Sequence, residues 1–252
     1  MPTVQERYAN EKAYRQAIQG KLAQLARTGR WDIVQLQRQL AYDRLLERLY
    51  IVDDGWVLKG AAALLARDIG VRWTMDIDVY HQLLDTIALE DIKKALQCDI
   101  GDWFRFDVAS VTPLTGATQG QRLRILSFVG DTPWVRFHMD LVGGQTHMVG
   151  TVEPVPALAR GIMPTIEQHG YRAYPLADHI ADKIAATLER YGPDSKTSSR
   201  FKDLVDLVVF TTSASFDADL VKAALKSRAQ RNGTVLPPEF TRMGCGAECP
   251  WL

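Results

Sequence analysis

Asp76 and Asp78 stand two residues apart in Asp76-Ile77-Asp78-Val79-Tyr80, and that spacing is the first chemistry the chain offers. In a strand successive side chains point to opposite faces, so the two carboxylates share one face while Ile77 and Val79 share the other. Carboxylates held side by side repel each other, which is costly unless a cation sits between them. Oxygen-only ligands of this kind suit Mg2+, which takes one or two protein carboxylates together with substrate phosphates. Just upstream, Trp56-Val57-Leu58-Lys59-Gly60 reads as a short apolar strand followed by a glycine. Gly60 then opens a helix whose free backbone N–H groups could receive a phosphate. Together these residues have the makings of a metal–nucleotide site. Arg72, between the helix and the Asp-x-Asp strand, fits either a phosphate clamp or a counter-charge for Asp76.

A third carboxylate comes from Trp134-Val135-Arg136-Phe137-His138-Met139-Asp140-Leu141-Val142, where alternation puts Arg136, His138 and Asp140 on one face. If this strand lies beside Asp76 to Tyr80, Asp140 completes a cluster able to hold two metal ions, one activating an attacking hydroxyl and both stabilising a leaving pyrophosphate. The alternative is a surface charge, or a pair with Arg136. Lys183 supplies a cation. In a helix it lies beside Ile180, Ile184 and Thr187, close to an apolar stripe, so it is partly buried and wants an anion. Asp203 and Asp206 are one answer and a nucleotide phosphate is the other; both hold if Asp203 orients Lys183 towards the triphosphate.

These side chains need elements to position them. Helical spacing covers Val4 to Arg27 and Ile33 to Ile51, the latter with Asp32 as N-cap. Strands are expected at Val57 to Leu58, Asp76 to Tyr80, Trp103 to Ala109, Arg122 to Phe128 and Trp134 to Val142, with a helix near Asp91 to Gln97. A connector marked by Gly143, Gly144, Pro154, Pro156, Pro164 and Pro175 leads to helices at about Leu176 to Tyr191, Phe201 to Thr211 and Asp217 to Arg231. The reading is an α/β (α+β) chain: an N-terminal helical layer over residues 1–50, a small mixed-sheet core over 51–155, and a C-terminal helical domain over 156–252.

Composition bounds the rest. The chain has 252 residues, 46% of them hydrophobic, and a formal net charge of zero. That suffices for one good-sized core or two smaller ones. No apolar run reaches transmembrane length and the first twenty residues are polar, so a cytoplasmic protein with no membrane partner is expected. Cys98, Cys245 and Cys249 make no disulfide framework, and a lone C-x3-C pair lacks the second pair of a zinc site. His81, His138, His147, His169 and His179 show no metal-ligand spacing. Charge is uneven: nine Lys/Arg against five Asp/Glu from Met1 to Arg48, six against eleven from Ile51 to Asp107, and seven against four from Lys196 to Arg231. An acidic middle between basic ends could hold a metal while attracting a polyanion, through residues such as Lys222, Lys226, Arg228 and Arg231. Solvated helix faces explain each end equally well.

Leu58-Lys59-Gly60-Ala61-Ala62-Ala63-Leu64 followed by Arg72-x-Thr74-x-Asp76-Ile77-Asp78 resembles the first motif of the AbiEii/AbiGii nucleotidyltransferase-like toxins. That family is a branch of the DNA polymerase β-type superfamily and includes the MenT toxins. Ala181-Asp182-Lys183-Ile184-Ala185-Ala186 and Arg200-Phe201-Lys202-Asp203-Leu204-Val205-Asp206-Leu207 are similar to its second signature, a lysine-bearing helix followed by a basic-Asp-Leu-x-Asp-Leu helix. The resemblance implies metal binding by Asp76, Asp78 and Asp140, nucleotide contacts from Lys59, Gly60, Ala61, Arg72, Thr74, Lys183 and Lys202, and active-site roles for Lys183 and Asp203. Ala61 stands where the family commonly has Gly or Ser, which preserves backbone binding but not a hydroxyl contact. Thr74 stands for Ser and keeps the hydroxyl. The implied activity is Mg2+- or Mn2+-dependent transfer of a nucleoside monophosphate from NTP to an acceptor hydroxyl. The leading acceptor is the 3′ end of tRNA, the outcome is growth inhibition, and a cognate antitoxin is the partner. An antibiotic or protein acceptor, or a non-catalytic nucleotide-binding regulatory domain, are the alternatives.

Overall fold

Helix boundaries near the N-terminus follow side-chain caps. The computed structural model describes residues 4–69, 73–81, 85–114, 120–142, 147–159, 162, 168–188, 190–191, 196–197, 201–233 and 235–236. The single helix expected from Val4 is two: α1 (Val4–Arg7) stops and α2 (Glu11–Thr28) restarts at Asn10, whose side chain accepts a hydrogen bond from Ala13 N at 2.9 Å. An Asx cap of this kind satisfies an orphan N–H, and it takes the cap residue out of helical conformation. α3 (Ile33–Val52) opens on the expected Asp32, in a reciprocal capping box with Gln35.

The chain then runs β1 (Val57–Lys59), α4 (Gly60–Ala66), β2 (Asp76–Tyr80), α5 (Asp85–Gln97), β3 (Phe104–Pro113), β4 (Gly120–Val129) and β5 (Thr132–Val142). After these come β6 (Glu153–Val155), β7 (Tyr171–Ala173), α6 (Leu176–Leu188), β8 (Arg190–Tyr191), β9 (Lys196–Thr197), α7 (Phe201–Ser213) and α8 (Ala218–Asn232). One mixed sheet has the order β3-β4-β5-β2-β1-β7-β6, and a two-stranded ladder joins β8 to β9. β2 runs parallel to β5 and β1 parallel to β7; the other pairs of the large sheet are antiparallel. The expected strands and C-terminal helices are all present. β6 and β7 lie where only a connector was expected, being too short for alternation to show, and Pro154 suits β6 to the edge. The helix expected to reach Tyr191 ends at Leu188, and Tyr191 pairs in β8.

Residues of α2, α3 and one face of the sheet share a single apolar cluster that includes Tyr14, Ile18, Leu40, Leu45, Ile77 and Phe137. A second cluster joins Leu64 and Ile69 to Ala177 and Ile180 of α6, Phe210 of α7 and Val221 of α8. α4 therefore lies where the sheet and the C-terminal helices meet.

Two buried polar arrangements fix α3. Asp102, before β3, accepts from Arg44 Nε at 2.6 Å and Arg48 Nη2 at 2.6 Å, with all three side chains at most 3% exposed. Burial alone would raise the Asp102 carboxyl, but the Arg48 and Arg44 guanidiniums hold it below its ordinary range. Farther along, Asp43 accepts from Leu158 N, Ala159 N and the Tyr171 hydroxyl, tying α3 to the connector that leads into β7, and burial pushes its carboxyl up to about 7. Removing one member of a buried ion network leaves an uncompensated charge, so Asp102→Ala is expected to cost about 3–5 kcal/mol. Urea unfolding measures it, and a loss under about 1 kcal/mol would contradict the network's structural role.

Candidate active site

β1 and β2 pair antiparallel with Lys59 opposite Asp78, so the strand end that carries Gly60 comes up against the Asp-x-Asp strand. Gly60 has φ +61°, and a Cβ there would lie 1.7 Å from Asp78 Oδ2. Glycine is required twice over, for a left-handed backbone and for the contact. Lys59 occupies the N-cap of α4 and no side chain caps that helix, so its first N–H groups, the expected phosphate donors, receive no side-chain acceptor. Lys59 itself turns away, with Nζ 3.9 Å over the Tyr174 ring and 3.8 Å from Asp182 Oδ2. Burial lowers its pKa, and Asp182 and Asp78 oppose that shift.

The parallel β2–β5 register sets Asp78 opposite Asp140 and Asp76 opposite His138, the neighbour relation the sequence left conditional. All three carboxylates therefore share one sheet face. Burial first, then Asp140 and Asp76, push the Asp78 carboxyl up to about 6. Asp140 is held in two 2.7 Å hydrogen bonds by the guanidinium of Arg122 on β4, so its cationic partner is Arg122 rather than Arg136. His138 Nδ1 lies 3.2 Å from Asp76 Oδ1. The oxygens of the three carboxylates do not all lie within 4.8 Å of one another; among the described residues that convergence occurs at Asp53, His81 and Asp91. An all-oxygen donor set on one face, with its central carboxyl raised by burial and by its acidic neighbours, nevertheless fits a hard divalent cation, which would relieve the repulsion between them.

On the other side of α4, Lys183 Nζ donates to Asp203 Oδ1 at 2.8 Å and Asp206 Oδ2 at 2.7 Å, with Lys183 only 8% exposed. The motif's lysine and its two aspartates are thus brought together across α6 and α7. Ala61 lies buried in the first turn of α4, and Lys202 is exposed on α7. The Thr74 hydroxyl donates to Asp76 O at 2.8 Å and accepts from Asp76 N at 3.2 Å, so it shapes the entry to β2. Arg72 lies outside the described residues.

Sequence reasoning did not single out four groups that stand here: Arg122 on Asp140, His138 on Asp76, Asp182 beside Lys59, and Tyr174 beneath Lys59. Arg228, read only as part of a basic flank, has Nε 3.6 Å from Asp182 Oδ1. The adjacency of Asp182 to Lys183 was the available signal; the others depend on strand pairing and helix packing.

Residues 44–244 match the family model described as nucleotidyl transferase AbiEii toxin, type IV TA system. The chain belongs to this family. It is a nucleotidyltransferase toxin, a class that uses NTP and divalent metal and that pairs with an antitoxin. Among solved structures it is similar to MenT4, a nucleotidyltransferase toxin from Mycobacterium tuberculosis H37Rv, with TM-score 0.59 and 16% identity over 82% of this chain and 68% of that one. JHP933 from Helicobacter pylori matches with TM-score 0.46 and 18% identity over 78% of this chain and 77% of that one. The antibiotic-resistance factor ANT(2″)-Ia matches with TM-score 0.42 and 15% identity over 77% and 95%. A search of curated protein sequences finds no match. The MenT4 likeness shows a nucleotidyltransferase fold. Among the described residues no helix is long and apolar enough to cross a membrane.

The Asp78 shift gives this AbiEii-family protein a pH signature. A carboxyl raised from 3.8 to about 6 binds its proton more tightly in the folded state, so its favourable contribution is full below 3.8 and lost as pH rises through about 6. That rise is worth about 3 kcal/mol, so chelator-treated Asp78→Asn is expected to melt about 6–12 °C above wild type at pH 7, a gap that closes below about pH 4. A gap independent of pH in paired thermal melts would contradict the crowding of the carboxylates.

Proposed function

We propose that this AbiEii-family toxin transfers a nucleoside monophosphate from NTP to the 3′-terminal hydroxyl of a tRNA, with Mg2+ or Mn2+ held by Asp76, Asp78 and Asp140. The observation that carries the reading is the contact of Gly60 with Asp78, which places the uncapped first turn of α4 against the carboxylate group. A triphosphate on those N–H groups would lie beside the carboxylates without further movement of the backbone.

A bound divalent ion would supply charge neutralisation at the phosphates and lower the pKa of the acceptor hydroxyl. The chain's own residues do the rest. Gly60 and Ala61 offer backbone donors, and Lys59, Arg72, Thr74, Lys183 and Lys202 form the nucleotide-binding set. Lys183 serves as an ammonium that Asp203 and Asp206 hold in position and charge. Arg122 orients Asp140 through a bidentate pair. The acceptor oxygen forms a bond to the α-phosphorus as the bond to the β-bridging oxygen breaks. Pyrophosphate departs, and the hydroxyl proton passes to a carboxylate of the trio.

In this reading residues 51–155 form the catalytic core, residues 1–50 buttress it, and residues 156–252 carry the lysine half of the nucleotide site. The protein acts in the cytoplasm, where NTP and tRNA are available, and a cognate antitoxin restrains it.

Incubation with each labelled NTP and total tRNA tests the proposal. Label is expected at the tRNA 3′ end, only with divalent metal present. Asp76→Asn or Asp78→Asn should lower transfer about a hundredfold or more, because metal stabilisation is worth several kcal/mol and each 1.4 kcal/mol is tenfold in rate. Label on protein or on a small molecule would overturn the acceptor, and full activity in either variant would overturn the metal assignment.

Lys183→Met separates anchoring from binding. Loss of the ammonium leaves Asp203 and Asp206 facing each other without their shared cation, so stability is expected to fall by about 3–5 kcal/mol. A triphosphate ligand would also show a weaker NTP affinity at temperatures where the variant remains folded. Unchanged affinity there would restrict Lys183 to a structural part.

A further inference from the structure

The β3–β4–β5 part of the sheet has two unlike faces. Phe104, Leu123, Ile125, Phe137 and Met139 point into the core, where Tyr14 of α2 and Tyr42 of α3 pack edge-on against Phe104 and Phe137. The opposite face begins at the carboxylates and runs outward through cations. Arg122 stands opposite Asp140, Arg124 opposite His138, and Leu126 opposite Arg136. Alternation puts Arg122, Arg124, Arg136 and His138 on the face of Asp76, Asp78 and Asp140, with same-face neighbours along a strand about 7 Å apart.

Arg122 is engaged with Asp140, but Arg124 and Arg136 are exposed, and among the described residues neither has a hydrogen bond or an ion pair. Farther out on the same face, the Arg105 guanidinium lies 4.2 Å over the Phe128 ring and donates to Asp107 Oδ2 at 2.7 Å, so it offers a planar stacking surface rather than free charge. On the C-terminal helix, two of the cations are already paired: Lys222 lies 3.2 Å from Asp219, and Arg228 faces Asp182. Arg124 and Arg136 thus place unpaired positive charge on the same sheet face as the carboxylates.

We propose that this open face, through Arg124, Arg136 and the Arg105–Phe128 pair, binds the polynucleotide whose 3′ hydroxyl receives the nucleotide. The inference rests on the polynucleotide-acceptor reading given above. A strand that presents its 3′ end at Asp78 must leave the site over some surface, and this one is continuous with the carboxylates through Arg122. Arginines spaced along adjacent strands match a repeating phosphate charge, and an arginine stacked on phenylalanine suits an unpaired base. A protein acceptor needs neither the repeat nor the stack.

The test is binding of a fluorescent tRNA to the whole protein across a salt series, for wild type, Arg124→Gln, Arg136→Gln and the double variant. The negative slope of log affinity against log salt is expected to shrink by roughly 0.7 per lost phosphate contact. The melting temperature and the affinity for a fluorescent NTP analogue should stay unchanged, and Arg124→Lys and Arg136→Lys should restore the slope. Wild-type binding with an unaltered slope in the double variant overturns this surface while leaving the acceptor reading in place. Absence of wild-type tRNA binding overturns both, and transfer of label to protein or a small molecule would then identify the acceptor class.

Discussion

The rest of the site depends on how closely the backbone at Gly60 approaches the carboxylate of Asp78. That distance joins two functions that sequence places eighteen residues apart, an uncapped helix start and an acidic strand. Any side chain at Gly60 would occupy the space of the Asp78 oxygen, and its backbone angle is one that L residues adopt only at a cost. Once β1 and β2 are in register, the contact is unavoidable. α4 is then held at its far end by Arg67, which pairs with Glu153 of β6 and donates to Tyr174 O at 2.7 Å.

Around this junction the protein places charge in matched, largely buried groups. Asp140 has Arg122, Lys183 has two aspartates, and Asp182 lies between Lys59 and Arg228. Asp78 is the exception. Burial raises its carboxyl first, and crowding by Asp140 and Asp76 adds to that more than Lys59 and Arg122 offset. Low dielectric magnifies such differences, so one unbalanced carboxylate among balanced pairs is where a cation gains most.

The candidate site's carboxylates sit on strands and its cations partly on helices from the other end of the chain. A sheet fixes the spacing of Asp76, Asp78 and Asp140 within a pleat, whereas Lys183 reaches its place through packing of α6 against α7 and α8. Apolar contacts of Leu64 in α4 with the C-terminal helices connect the two halves just after the Gly60 turn, so they are mechanically one.

Much of this was legible in the sequence, because it depends on local rules. Period-two alternation located β2 and β5, put Asp76 and Asp78 on one face, and made Asp140 their partner on condition that the two strands pair; the Asp32 cap fixed the start of α3; and the apolar stripe beside Lys183 marked a partly buried cation, with Asp203 and Asp206 as one of two candidate anions. Other features were invisible for equally physical reasons. β6 and β7 have three residues each, too few for a period, and Asn10 interrupts an otherwise helical run by capping it. The sequence offered only Arg136 for Asp140, and Arg122 emerged once β4 and β5 were in register; Asp182 and Tyr174 meet Lys59, and Arg228 meets Asp182, only through tertiary packing. The sequence by itself determined which side chains carry charge and which face of each element they occupy, since both follow from covalent chemistry and backbone period. Only the tertiary structure decided which charges face one another, because pairing is set by long-range register and packing that no local pattern encodes.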